Sequence, residues 1–561
     1  MKPRLLTKET GLYVLAFALA LIVRFFALGR TPLSDAEAGL ALQALDVSNG
    51  ATGTIGSQTA YVMLTGLLMF VFNAADWMTR FWPALAGSLF VLTPVLFQEK
   101  LGSRAAVVLA FWLALDPGLV AVSREAGSTM IAACALFGAL GFILARRPVW
   151  AGIAAGFALL SGPALWPGLI SMGLGVWILG KKPAAEENRF DWRIALLAAA
   201  AVFFLVGSLV FTHPSGLGTA AGSLPEYLRG WSQNSGVSIG VMLTALPVYE
   251  ALALFLALLG LGRAIFRSDA LDLKLAAWAG TALLLVAVYP ARQIIDWTWV
   301  LPPLLALAAR QLSRQFIVDP EDRAAMLGQA LLTAVMVFFA WTSVLKLAAI
   351  VDPSATLTLQ WGRFAASLVL LGIATFLVGW GWSLEAARDG LQWGITLVLG
   401  VFALSALFNG AGLSSRRVEM ELWRSGPPFT QEEILLTTLR NFNDWQPSLS
   451  TQLDIVVVGS QSQALRWALR EFEGVSYVTD LPTNAQPAVV ITGIDFNMEQ
   501  TAPYRGQDFY LWEKPFWDLL MGRDWLIWST YRTALTDNQQ IILWVRTDLF
   551  PGGDDSAAGL Q

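Results

Sequence analysis

The sequence predicts an all-α polytopic membrane protein of about 13 transmembrane helices with a C-terminal extracytoplasmic α/β domain. Three observations lead there. Thirteen apolar stretches run through the first 410 of 561 residues. The basic residues between them fall mostly in alternate loops. Past Gly412 the long apolar runs stop and charged residues become common. Bulk composition agrees, at 56% hydrophobic and 14% charged with a mean hydropathy of +0.57. A soluble domain carries roughly 25% charged residues. The net charge of -4 gives no reason to expect a nucleic-acid partner. One cysteine, Cys134, lies in an apolar run, so there is no disulfide framework. The single histidine, His213, has no ligand partners nearby, whereas zinc needs about three or four.

A helix needs about 20 apolar residues to cross the hydrocarbon core. The candidate spans are 10–28, 81–98, 105–121, 128–145, 149–162, 165–180, 194–212, 238–262, 275–290, 298–313, 325–349, 358–381 and 391–408. The fifth and sixth are short, and Ser161-Gly-Pro-Ala-Leu-Trp166 between them reads as a tight turn or re-entrant pair. The first span lacks a small-residue cleavage site and is expected to stay in the chain.

Orientation follows from Lys and Arg. One set of loops holds eighteen basic residues, from Lys2, Arg4 and Lys8 through Lys181, Lys182, Arg189 and Arg193 to Arg388. The other set holds five: Arg30, Arg80, Arg124, Arg229 and Arg292. The predicted N-terminus is cytoplasmic and, with an odd number of spans, the tail is outside. Residues 59–73 are apolar but short, and counting them as a span would invert the charge rule for every later loop. They are expected to form a helix on the outer membrane surface, with 35–48 as a second. The predicted domains are therefore a transmembrane domain, 1–412, with an external loop 30–80, and an extracytoplasmic α/β domain, 413–561.

In the tail, Leu453-Asp-Ile-Val-Val-Val-Gly459 is a β-branched strand signal, and a helix with a serine cap is predicted from Ser460 to Phe472. Further strands are expected at Val475-Ser-Tyr-Val478, Ala488-Val-Val-Ile-Thr492 and Gln540–Arg546. The Val-Gly-Ser-Gln-Ser turn lacks the glycine spacing of a nucleotide loop.

Three constellations carry candidate chemistry. Ser34-Asp35-Ala36-Glu37 is a capping box, and either Asp35 or Glu37 could serve as a base for an acceptor hydroxyl or amine at the outer interface. Ser123-Arg124-Glu125-Ala126 lies on the same predicted side, as a charged turn or as a second acid. Asp35 and Glu125 together would offer oxygen ligands suited to a divalent cation, Mg or Mn. The third is positional: Arg24, Arg292, Lys346 and Arg363 lie inside or at the edge of spans, near their predicted external ends. Intramembrane cations either snorkel to headgroups or bind something anionic, and a lipid-linked phosphate fits the second case.

The segments Arg24-Phe-Phe-Ala-Leu-Gly-Arg-Thr-Pro-Leu-Ser-Asp-Ala-Glu-Ala38 and Gly102-Ser-Arg through Asp116-Pro117 into Ser123-Arg-Glu-Ala126 resemble the GT-C-type glycosyltransferases. The likeness is to their protein O-mannosyltransferase and lipid A aminoarabinose transferase branch. Arg292 through Leu301-Pro-Pro303 is similar to their later Arg-x-x-x-Pro segment. The resemblance implies a glycosyltransferase, moving a hexosyl or pentosyl group from a polyprenyl-phosphate donor to an acceptor outside the cytoplasm, at a multi-pass site in the plasma membrane. It implies Asp35 or Glu37 as base, Glu125 as second-loop acid, and Arg292 as the donor-phosphate ligand; Lys346, Arg363, Arg24 and Arg124 are further candidate cations for that phosphate by their own position. That family has adjacent Asp-Glu-Ala, whereas this chain has Asp35-Ala36-Glu37-Ala38. Two other readings stay open: a lipid-linked sugar transporter or flippase, and a catalytically inactive scaffold whose tail binds a partner.

Overall fold

The computed structural model describes residues 8–51, 55–180, 190–234, 236–316, 320–349, 355–414, 417–445, 453–482, 484–497 and 502–550. Lys2, Arg4, Lys181, Lys182 and Arg189 of the charge pattern lie outside them. Each of the thirteen apolar stretches falls on helix. Six helices are long and apolar enough to cross a membrane: Phe81–Leu101, Gly162–Leu179, Ala270–Val288, Arg323–Ala349, Leu357–Gly381 and Leu384–Gly410. Two bent pairs raise that number to eight. Thr129–Leu144, Pro148–Leu159 and Trp192–Gly207 are apolar but have 10–17 residues.

The predicted spans 105–121 and 238–262 are broken. Ser103–Leu115 and Pro117–Ser123 meet at 54°, Ile239–Tyr249 and Ala251–Arg267 at 87°. The first break follows from Asp116, which is extended (φ -65°, ψ 123°) and accepts from the Leu119 amide at 2.8 Å, restarting the helix with Pro117 in its first turn. At the second, Pro247 removes a backbone donor inside the helix and Glu250 leaves helical geometry. The two breaks meet: Asp116 and Glu250 are both buried and their carboxyl groups are within hydrogen-bonding reach. The expected turn at 161–166 is present as a 3-10 turn, Gly162–Ala164, between Pro148–Leu159 and Leu165–Leu179. Gly162 has φ +74°, and a Cβ there would meet Ser57 O at 3.0 Å.

The tail holds a five-stranded sheet in the order β2-β1-β3-β5-β4. Its strands are β1 (Ile455–Val458), β2 (Val475–Val478), β3 (Val489–Gly493), β4 (Tyr504–Pro515) and β5 (Thr536–Arg546). β1 pairs in parallel with β2 and β3, while β5 is antiparallel to β3 and β4. A fully buried Ile-Val-Val-Val run suits a central parallel strand. β4 had no counterpart among the predicted strands, because Tyr504–Gln507 is mostly exposed and its apolar alternation starts only at Phe509. The predicted tail helix is shorter than 460–472: it runs from Gln463 to Ala468, continues as a 3-10 turn, and is capped by Ser462 rather than Ser460.

The first loop does more than lie on a surface. Helix Asp35–Ser48 buries Ala38, Ala41 and Ala44 in the same core as Leu435, Leu439, Leu465 and Ile491 of the tail. Helix Thr59–Phe72 packs closely on its other side, where a Cβ on Gly66 would meet Ala44 O at 2.9 Å. First loop and tail thus share one apolar core, and the candidate site lies at the edge of that seam.

Candidate active site at the junction of first loop and tail

Ser34 and Glu37 form the expected capping box: the Glu37 amide donates to Ser34 Oγ, and Glu37 Oε2 accepts from the Ser34 amide at 3.2 Å. The box aims Glu37 inward, where it is 1% exposed. Arg80 donates from Nε to Oε1 at 2.7 Å and from Nη2 to Oε2 at 2.8 Å, and the Ala126 amide donates to Oε1 at 2.9 Å. Burial alone would raise the Glu37 carboxyl, but the Arg80 guanidinium outweighs it and holds the group below the usual carboxylate range. Arg80 is fixed in turn by the carbonyls of Thr31 and Pro32.

Asp35 points the other way. It is exposed, and its Oδ1 accepts from Ser462 Oγ at 2.6 Å and from the Ala464 amide at 2.8 Å, at the start of the tail helix. A carboxylate there satisfies orphan amides and complements the helix dipole. A separation of two residues decides this, since positions i and i+2 on a helix lie about 200° apart and face different partners.

Glu125 lies within electrostatic reach of Glu37. Both its oxygens accept from the Ser425 amide, at 3.1 and 3.2 Å. Burial, reinforced by the Glu37 charge, pushes its carboxyl up to about 8, against the pull of Arg424. Arg80, Arg124, Glu125, Trp423 and Arg424 surround a polar cavity of about 10 Å³, room for one water. Arg424 forms no ion pair among the described residues, and its Nε has no hydrogen-bond partner. It faces Glu125, Glu37 and Arg80 electrostatically.

The predicted cations are not gathered in one pocket. Arg24 is fully buried and donates to Ser123 Oγ, Ala114 O and Leu113 O, tying off the last carbonyls of Ser103–Leu115. Arg124 does line the cavity, but its guanidinium donates to the carbonyls of Val23, Arg24, Phe26, Ala27 and Ala411, closing the end of helix Lys8–Phe25. Arg292, four residues past helix Ala270–Val288, donates from Nη1 to Ala287 O and Tyr289 O, keeps its Nε buried without a partner, and does not line the cavity. Lys346 and Arg363 are exposed on Arg323–Ala349 and Ala355–Gly381. The metal expectation has no ligand set either: Asp35 faces the tail helix, Glu125 faces Ser425, and no three His, Cys, Asp or Glu converge among the described residues.

Two residues at the site were missed from the sequence. Arg80 had one signal, as one of the few basic residues in the sparsely charged loops. Arg424 had none, because it lies where charge is already common.

No protein-family model matches the chain, and no curated protein does. Solved structures do. ArnT from Cupriavidus metallidurans bound to undecaprenyl phosphate is 16% identical with a TM-score of 0.54, covering 97% of this chain and 99% of ArnT. The apo state of the same protein gives 15% identity and 0.53. The oligosaccharyltransferase of Archaeoglobus fulgidus reaches 0.41 over 85% of this chain, at 14% identity. Over nearly its full length, then, the chain has the fold of ArnT, a lipid A aminoarabinose transferase, which is the GT-C fold that its first two loops resemble.

Proposed function

We propose that the chain is a membrane glycosyltransferase that moves a sugar from a polyprenyl-phosphate donor to an acceptor outside the cytoplasm. One observation carries the reading: the half-buried Arg424, whose Nε is buried without a hydrogen-bond partner and which forms no ion pair among the described residues, stands beside Glu125, Arg80 and Arg124. A buried guanidinium N–H without an acceptor is costly unless a ligand supplies one, and a phosphate oxygen does so with a charge-assisted hydrogen bond. ArnT, whose fold the chain shares, was crystallised with undecaprenyl phosphate. Thirteen spans, a cytoplasmic N-terminus and an extracytoplasmic tail in the plasma membrane complete the proposal, supported by the loop charges.

In this mechanism an acceptor oxygen attacks the anomeric carbon and the bond from that carbon to the phosphate oxygen breaks. The phosphate leaves with both electrons, and Arg424 takes up its developing charge. The acceptor proton passes to the ionised Glu125 carboxylate, whose value near neutrality suits a base. Inversion at the anomeric carbon follows from a single displacement. Glu37 contributes by raising the proton affinity of Glu125 and by fixing Arg80.

A specific observation favours the inactive-scaffold reading: Asp35 is bonded to the tail and Glu37 is neutralised by Arg80, which leaves neither first-loop carboxylate free. One assay separates the two. Purified protein in nanodiscs is tested for undecaprenyl-phosphate binding and for release of labelled sugar from a polyprenyl-phosphate sugar pool. Binding abolished by Arg424→Ala together with transfer abolished by Glu125→Gln is expected. Donor binding untouched by Arg424→Ala would overturn the site, and binding without any transfer would leave the scaffold.

A further inference from the structure

A second polar pocket of about 240 Å³ opens beside the site, between the first loop and the segment that leads into the tail. Arg30, Thr31, Gly412, Glu419, Phe429 and Thr430 are among the residues that form it. Its frame is built in advance: the Phe429 amide donates to Leu33 O at 3.3 Å, Ser34 and Pro428 form an antiparallel bridge, and the Thr430 amide donates to Leu511 O at 3.0 Å. The wall towards Glu125 is thin. Thr31 lines both this pocket and the Glu125 cavity, and a Cβ on Gly412 (φ +67°) would meet Thr31 Oγ1 at 3.1 Å and Arg424 Nη2 at 3.3 Å.

The lining has unused capacity of both signs. Among the described residues neither the Arg30 guanidinium nor the Glu419 carboxylate forms an ion pair or a side-chain hydrogen bond, and Glu419 Oε2 and Thr430 Oγ1 are buried without a partner. Leaving such groups unpaired costs about 1–3 kcal/mol each, which a ligand that pairs them recovers. Arg30 wants an acceptor and Glu419 wants a donor. A hydroxyl is both, and Pro32, Val418 and Phe429 give the same pocket an apolar side for the C–H face of a ring.

We propose that this pocket is the acceptor site and that it takes a polyhydroxylated, saccharide head group. The proposal rests on the glycosyltransferase reading above and names the acceptor class for that site. Thr31 then stands between the bound acceptor and Glu125, and a turn of its side chain brings the attacking hydroxyl to the base.

The test uses the full chain in nanodiscs, with methyl glucoside and methyl glucosaminide as probes and a blocked trialanine as peptide control, all followed by saturation-transfer NMR. Both glycosides are expected to bind. Glu419→Ala and Thr430→Val should each weaken them about tenfold, the loss of one well-placed hydrogen bond. Undecaprenyl-phosphate binding, read in the same samples, should be unchanged, which also reports that the variants are folded. Absence of glycoside binding in the parent chain, binding that survives both substitutions, or a preference for the peptide overturns the assignment. If undecaprenyl phosphate fails to bind the parent chain while the glycosides do, the donor reading fails and the saccharide pocket stands.

Discussion

Glu37 and Arg80 form a two-pronged ion pair, at 2.7 and 2.8 Å, with both side chains 1–2% exposed and their positions 43 apart in the sequence. It ties the first-loop helix to the segment entering Phe81–Phe90, and the Ala126 amide adds the second loop. Three segments therefore depend on one carboxylate.

Removing one partner of a buried pair leaves the other charge uncompensated, at about 3–5 kcal/mol. Arg80→Ala is expected to lower the thermal unfolding temperature sharply, and Arg80→Met with Glu37→Leu together should recover much of the loss. Equal losses in the single and double variants would show that the pair is not what holds the three segments.

Asp35 stabilises the tail helix rather than the chemistry. Asp35→Ala should uncap Gln463–Ala468 at about 1 kcal/mol, roughly fivefold faster hydrogen exchange at those amides. Asp35→Asn keeps an acceptor oxygen and should retain both protection and turnover. A large turnover loss in Asp35→Asn would make Asp35 the base.

The two buried glutamates give opposite pH dependences. The folded Glu125 value of about 8 lies above its ordinary 4.5, so the folded chain binds the extra proton and stability falls as pH rises from about 4.5 to about 8. Glu37 is held low, so its contribution is present at neutral pH and is lost as pH falls through its folded value. Glu125→Gln should flatten the neutral limb of the stability profile, measured by unfolding temperature against pH. In the parent chain, transfer should rise with pH towards about 8, and Glu125→Gln should remove that limb and lower turnover about 10²–10⁴-fold.

Gly118 packs against the Trp423 ring, the neighbour of Arg424 in sequence. A Cβ there would meet the Trp423 ring at 2.5 Å, so Gly118→Ala must displace the indole next to Arg424. The expected cost is about 1–3 kcal/mol, with weaker undecaprenyl-phosphate binding. Trp423→Phe should restore donor binding in the Gly118→Ala background, which a general loss of folding would not allow.

Much of the helical layer was legible because it depends on local period and length. The capping box at Ser34–Glu37 was legible for the same reason, since Ser-x-x-Glu spans a single turn. The bends at Asp116 and Glu250 were less so. Asp116-Pro117 is a known helix-start signal, but an apolar stretch running through it masked the break. At the site, the resemblance brought Glu37 and Glu125 forward, whereas the guanidiniums of Arg24 and Arg124 are taken up by helix-end carbonyls, which residue spacing does not show.

By itself the sequence determined much of which segments are helical and the capping box at Ser34–Glu37, because hydrophobic burial and backbone hydrogen bonding within a turn act over a few residues. Tertiary structure alone decided which carboxylate faces which partner. Asp35 meets Ala464 and Glu125 meets Ser425 across 429 and 300 residues, and Glu37 meets Arg80 across 43. Those pairings turn on how the tail and the second loop pack against the first-loop helix, and that packing is not written in local residue spacing.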